Sequence, residues 1–232
     1  LSVRRFDEAQ ALYDRVLAIS PGNENALGQK AQAFQSQGRL KEAAEVLAKA
    51  PANSNDQGLN VSRAVQLFDE RRFEAAIAQI QKMPAATAND PRTIMFLGLC
   101  QKFAGKTDEA RASLTRAVTA FKPTPDSVVP VDARQMPVYL VWAYVGLGEK
   151  EKALEQARQA IVDYATDALV KPSAETTLAI AQAQTGDIDS AIAALPHLLE
   201  EPDGVTRGDL RINPLWDPLR NDPRFQKLMA EP

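Results

Sequence analysis

Cysteine and histidine are almost missing from this 232-residue chain, which has one of each, Cys100 and His197. One cysteine excludes an internal disulfide and any cysteine-built metal cluster. The lone histidine, in "ALPHLLEE", has no second ligand of its kind. A structural place at or near the surface is expected for it, because metal and nucleophile sites need partners at fixed geometry. Cys100 falls between Leu99 and Phe103 on an apolar helical stretch, where a buried, inert thiol is expected. There is no P-loop, no dinucleotide-binding glycine run and no G-x-S-x-G elbow. With no catalytic constellation and no cofactor motif, neither an enzyme nor a bound cofactor is expected.

Charge of one sign is also missing. The formal net charge is -3, so no basic field exists to hold a polyphosphate and nucleic acid is not an expected partner. No apolar run approaches the roughly 18 residues of a membrane span, so direct membrane insertion is not expected of this segment. The sequence opens at Leu1 with no charged n-region or apolar h-region after it. That leads us to expect a piece of a longer protein, whose address or membrane tether would lie outside the segment. At 45% hydrophobic and 25% charged residues, the composition is that of an ordinary folded domain.

What the chain does have is a repeat. Aligning "RRFDEAQALYDRVLAISPGN", "GRLKEAAEVLAKAP", "RRFEAAIAQIQKMP", "GKTDEARASLTRAV", "GEKEKALEQARQAI" and "GDIDSAIAALPHLL" brings Ala9, Ala43, Ala76, Ala110, Ala153 and Ala191 into one column, at intervals of 34, 33, 34, 43 and 38. Five residues before that alanine stand Gly38, Gly105, Gly148 and Gly186, with arginine in the other two copies. Glycine there tolerates positive φ and ends a helix, while the small residue lets two helices approach. The tracts "ENALGQKAQAFQSQG", "GLNVSRAVQLFDERR", "PRTIMFLGLCQKFAG", "PVYLVWAYVGLGE" and "AETTLAIAQAQTG" would be the preceding helices, with Ala31, Ala64, Gly98 and Ala179 as their own small residue and Val141 as the exception. Two stretches lengthen the period. "FKPTPDSVVPVDARQMP" has too many prolines for helix or central strand and is expected to be a loop, whereas "IVDYATDALVKPS" reads as a lengthened helix reaching Pro172.

This pattern resembles the tetratricopeptide repeat, a helix-turn-helix unit of 34 residues. The resemblance implies an all-α fold, a right-handed α-α superhelix closed by a C-terminal cap of short helices. Its expected divisions are the second helix of a truncated first repeat at 1–23, five hairpins over 24–203 with insertions near 121–136 and 162–172, and the cap at 204–232. The cap is read from "INPLWDPLRNDPRFQKLM", where Asn213-Pro214, Asp217-Pro218 and Asp222-Pro223 each look like a helix start. Its apolar residues suit the face that a last repeat leaves open. The segment is similar to the ending of tetratricopeptide regions in large bacterial signalling proteins, through Leu210, Arg211, Pro214, Trp216, Asp217, Pro218, Leu219, Arg220, Asp222, Pro223, Arg224, Phe225 and Leu228. Those parents carry a serine/threonine kinase, a nucleotide cyclase or a winged-helix domain, which implies that this piece is a sensory or scaffolding half.

The family's groove positions place Asn25, Gln29, Gln32, Gln35 and Ser36 on a polar wall. They place Met95, Phe96, Leu99, Lys102, Phe103, Val138, Tyr139, Trp142 and Val145 on an apolar, aromatic one, extended by Val61, Val65 and Phe68. Partner contact is expected at Met95, Phe96, Leu99, Phe103, Val138, Tyr139 and Trp142. Gly28 and Gln32 stand where members that clamp a chaperone tail have Lys and Asn, so that type of binding is not expected. The expected function is a non-catalytic module that binds a protein or peptide in the groove. The alternative is an oligomerisation or spacer region whose groove is filled internally, with self-association through an uncovered face of Phe6, Tyr13, Val16 and Leu17.

Overall fold

The structure is a computed structural model and describes residues 5–121, 136–168 and 170–230. All regular secondary structure among these residues is helical, so the all-α class expected from the sequence is the one observed. The chain forms two compact units. Unit 1 is the chain up to Asn89 together with Thr206–Pro214, and unit 2 is Asp90–Val205 together with the chain from Leu215 onward.

Unit 1 contains α1 (Phe6–Ile19), α2 (Glu24–Ser36), α3 (Leu40–Leu47), α4 (Gln57–Asp69), α5 (Phe73–Gln81), the single turn α6 (Ala85–Ala88) and, from the far end of the chain, α13 (Arg207–Ile212). Helix α1 packs on α2, while α2/α3 and α4/α5 form hairpins. Unit 2 contains α7 (Pro91–Phe103), α8 (Thr107–Phe121), α9 (Met136–Leu147), α10 (Lys150–Asp163), α11 (Lys171–Gln184), α12 (Ile188–Glu200), a 3₁₀ helix (Pro214–Leu219) that starts at the unit boundary, and α14 (Pro223–Ala230). Helices α7/α8, α9/α10 and α11/α12 are its hairpins.

One turn is used five times. The N–H groups of Arg39, Arg72, Lys106, Glu149 and Asp187 donate to the carbonyls of Phe34, Leu67, Gln101, Tyr144 and Gln182, each five residues back, which closes the first helix in a Schellman-type stop. Such a stop needs a left-handed residue. Gly38, Gly105, Gly148 and Gly186 supply it with φ between 74 and 88°, while Arg71 is held at φ 58°. A non-glycine there costs about 1–2 kcal/mol. The alanine five residues further on is buried in all five hairpins: Ala43, Ala76, Ala110, Ala153 and Ala191 are at most 4% exposed. Asn23, Asp56 and Asp90 cap α2, α4 and α7 by accepting from the N–H groups of Ala26, Leu59 and Arg92.

The expected lengthened helix before Pro172 is not formed. Helix α10 stops at Asp163, Tyr164 turns into the core beside Ala160 and Ala174, and the Asp167 carboxylate accepts from the N–H of Val170 to open α11. Pro172 then occupies the first turn of α11, where a missing N–H is harmless. The proline-rich stretch expected as a loop lies almost entirely outside the described residues.

The C-terminal segment divides. Within unit 2, α14 packs on α12 with an Arg224–Asp189 ion pair of 2.7 Å, and Leu215, Trp216, Leu219 and Phe225 are at most 3% exposed. Of the three expected helix starts, Asn213-Pro214 and Asp222-Pro223 are starts, but Asp217-Pro218 lies inside the 3₁₀ helix. Pro218 cannot donate to the carbonyl of Leu215, three residues back. The Gln184 side chain donates to that carbonyl instead, at 2.7 Å, and removes the need to break the helix.

Within unit 1, α13 lies against the end of α2. Two glycines make this possible. A Cβ built on Gly38 would stand 2.9 Å from the Cα of Gly208, and one on Gly208 would stand 2.1 Å from the carbonyl carbon of Gln37. Backbone therefore lies on backbone. Since Gly208 is helical, alanine there would ordinarily gain about 1 kcal/mol. We expect Gly208→Ala instead to expel α13, seen as a tenfold or greater loss of hydrogen-exchange protection at the amides of Leu210 and Asn213, with α2 unaffected. Unchanged protection would mean that the close approach does not hold α13.

Candidate functional site

Helix α7 begins where Asp90 accepts both its cap bond and the Arg92 guanidinium, and those bonds hold the Asp90 carboxyl below its usual range despite partial burial. Helix α9, "MPVYLVWAYVGL", is apolar all round. A helix of that composition has to be covered on more than one side, and α9 packs against α7, α8, α10 and α11.

Leu114 of α8 joins these helices. A Cβ on Gly98 of α7 or on Gly146 of α9 would each come within 2.6 Å of the Leu114 side chain, so both glycines are spaces that Leu114 fills. Around it lies a core of Ile94, Met95, Leu99, Ala110, Ala117, Val118, Phe121 and Ala143, with Tyr139, Leu140, Trp142, Tyr144 and Leu147 packed against it.

That core corrects part of the expected binding surface. Met95, Leu99 and Val138 are 7%, 2% and 8% exposed, so they join helices and do not face a partner. Val145 is also buried, in the cluster around Val141, Ala153 and Ala181. The physical reason is the composition of α9: with apolar residues on every side, it draws the neighbouring faces of α7 and α8 onto itself. Phe96, Phe103, Tyr139 and Trp142 remain half-buried. The Tyr139 ring stacks on Phe121, with centroids 5.8 Å apart and planes at 16°. The Lys102 ammonium donates to the carbonyl of Val145 at 2.9 Å, at the end of α9 where carbonyls lack helical partners, and burial pushes its pKa down. Phe121 and Leu114 were not among the expected site residues, since each lies on a second helix and its role depends on what α9 presents.

In unit 1 the polar wall is only partly open. Asn25 and Gln32 are exposed and Gln29 and Ser36 half-buried, but Gln35 is 4% exposed and its Nε2 donates to the carbonyl of Ser62 at 2.9 Å and to Gln66 at 3.1 Å. Val61 and Val65 are half-buried. Phe68 is in the core, edge-on to Phe73 with centroids 5.5 Å apart. Gly28 is a packing glycine, since a Cβ there would meet the backbone of Leu59 at 3.1 Å. A shallow cleft of about 440 Å³ lies among α3, α4 and α5, lined by Leu47, Leu67, Arg63, Glu70 and Arg72 among others. Arg63 is committed there, its Nη2 donating to the carbonyls of Ala50 and Pro51.

Cys100 is fully buried. His197 is 60% exposed, 3.4 Å from Glu175 and 3.7 Å from Glu201. Among the described residues no three His, Cys, Asp or Glu side chains are grouped to hold a metal ion, and no helix is long and apolar enough to cross a membrane.

A family model for the tetratricopeptide repeat matches residues 1–66, which span α1, α2, α3 and most of α4. Over those residues the chain resembles the tetratricopeptide repeat. Among solved structures, a tetratricopeptide repeat protein from Parabacteroides merdae is similar, with a TM-score of 0.49, 13% identity, and coverage of 97% of this chain and 91% of that one. No curated protein matches the sequence. Tetratricopeptide repeats generally mediate protein–protein interaction, and their fold is typically non-catalytic.

The contact of Leu114 with the repeat's small residue gives a stability test. Gly98→Ala should cost about 1–3 kcal/mol by overpacking, and Leu114→Ala about 2–5 kcal/mol by leaving a cavity. In urea unfolding the double variant should lose clearly less than the sum of the two. Additive losses would mean that the two residues do not share this space.

Proposed function

We propose that these tetratricopeptide repeats bind a protein or peptide segment at the aromatic side chains of α7 and α9, as the interaction part of a larger bacterial signalling protein. The observation that carries this reading is the pairing of half-buried Phe96, Phe103, Tyr139 and Trp142 with the buried Met95, Leu99 and Val138 on the same two helices. Rings held by a packed core lose little freedom when a partner covers them, and such anchors commonly carry most of an interface's energy. The larger context rests on the likeness of "LWDPLRNDPRF" to the endings of bacterial signalling proteins.

Affinity capture from a lysate of the source organism, read by mass spectrometry, should retain a protein on the natural chain and lose it on a Phe96→Ala/Trp142→Ala variant with unchanged circular dichroism. A loss of about 2 kcal/mol at such an anchor corresponds to roughly 30-fold weaker binding. Identical profiles from two equally folded proteins would remove α7 and α9 from the interface.

A second reading has its own observation. On α1, Leu12, Val16 and Ile19 are 58%, 39% and 88% exposed and follow one helical stripe. The uncovered face expected from the sequence was different, since Phe6, Tyr13 and Leu17 are half-buried and Leu17 packs against the α2–α3 core. If that stripe drives self-association, scattering mass should rise with concentration and return to the monomer value in Leu12→Glu/Ile19→Glu. A mass that stays at 25.3 kDa across the range ends this reading.

A further inference from the structure

Helices α7 and α9, which carry the aromatic rings, contain no aspartate or glutamate and only two cations, Arg92 and Lys102. Arg92 is already paired, since its Nε and Nη2 donate to the two oxygens of Asp90 at 3.0 and 2.8 Å. Lys102 has no carboxylate partner among the described residues. Its ammonium makes one hydrogen bond there, to the carbonyl of Val145, and no ion pair. That carbonyl also accepts from the N–H of Gly148 at 3.2 Å, where the last turn of α9 closes. Acids beyond the ends of the two helices are engaged elsewhere: Glu109 accepts from the side-chain amide of Gln101, and Glu149 pairs with Lys152.

A half-buried ammonium held by a single neutral acceptor is an unusual arrangement. The group carries three donors, and a charge taken out of water is ordinarily paired. Burial pushes the Lys102 pKa down, and no neighbouring carboxylate opposes that shift. The Val145 bond meanwhile fixes where the charge stands. It holds the ammonium at the end of α9, one turn beyond Trp142, and Phe103 follows Lys102 directly on α7. Positive charge therefore lies at the Trp142 and Phe103 end of the aromatic surface, with two N–H donors left for another acceptor.

We propose that the segment bound by α7 and α9 carries an acidic side chain, whose carboxylate pairs with Lys102 while neighbouring apolar residues of the segment cover the rings. This rests on the reading that those rings are a partner surface. A carboxylate brought to a charge already stripped of part of its water gains more than it would at an exposed lysine. The same ammonium rejects other segments. A lysine or arginine in that place would meet a like charge, with no acid on either helix to receive it. Spacing follows from helix geometry: at 1.5 Å per residue, Val145 lies roughly 4.5 Å beyond Trp142 and roughly 9 Å beyond Tyr139 along α9. An extended segment advances about 3.3 Å per residue, so its acid is expected about one to three positions from its apolar residues.

The probe is a phage-displayed library of random dodecapeptides, selected on the full chain and in parallel on Phe96→Ala/Trp142→Ala. Peptides joined to the phage through their C-termini offer side-chain carboxylates only. Those retained by the natural chain and lost by the double variant should carry Asp or Glu within about three residues of an aromatic or aliphatic residue. Synthesised with an amidated C-terminus, such a peptide should bind roughly tenfold more weakly once its acid is replaced by the matching amide. That replacement should cost nothing on Lys102→Gln, which keeps a donor for Val145 and loses the charge. The change in the peptide tests the pairing on the natural chain without touching its fold. Ring-dependent peptides that lack an acid, an acid whose replacement costs nothing on the natural chain, or an equal cost on Lys102→Gln would each overturn the proposal and leave the ring surface standing. Peptides selected equally by the double variant, or none selected at all, would remove the ring surface and the proposal with it.

Discussion

The contact on which the hairpins depend is the one made by a methyl group five residues past each turn. Ala43, Ala76, Ala110, Ala153 and Ala191 are at most 4% exposed, so a larger side chain there would have to displace its neighbours. The Schellman-type stop sets the angle at which the second helix leaves, and the alanine sets how near it comes. Neither works without the other. That coupling explains why the turn geometry persists at Arg71, where the residue type resists it: the conformation is imposed by the packing of α4 on α5, including the Phe68–Phe73 contact, and not by local preference.

The same economy of space governs the C-terminal segment. Helix α13 meets α2 through two glycines, so its position is set by backbone shape and its strength by a few polar groups. In unit 2, the 3₁₀ helix is held differently, by the fully buried ring of Trp216 and by Gln184, whose side chain donates to the carbonyl of Leu215.

The site on α7 and α9 shows how far a repeat register can be read. Register placed Phe96, Leu99 and Phe103 on one stripe correctly, because helical spacing alone does that. It could not say that Leu99 is covered while Phe96 and Phe103 are half open, since burial depends on the volume that Leu114 and α9 bring from elsewhere in the chain. Lys102 shows the same limit. Its register predicts a groove cation but not the bond that fixes its ammonium at the end of α9. In unit 1, Gln35 likewise leaves the surface expected of it for the carbonyl of Ser62.

The sequence by itself determined the helical hairpins, their turns and their small-residue contacts, because each follows from interactions within some 35 residues and repeats until it is unmistakable. The capping of α2, α4 and α7 is equally local, with Asn23, Asp56 and Asp90 acting on their own neighbours, and the structure reveals it. Only the tertiary structure decided which groove residues are covered, where α10 ends, and that Thr206–Pro214 belongs with the N-terminal half of the chain. Those outcomes depend on groups far apart in sequence, such as Thr206 and Ser36 or Arg71 and Ile212, and no local pattern records which distant surface a short helix will meet.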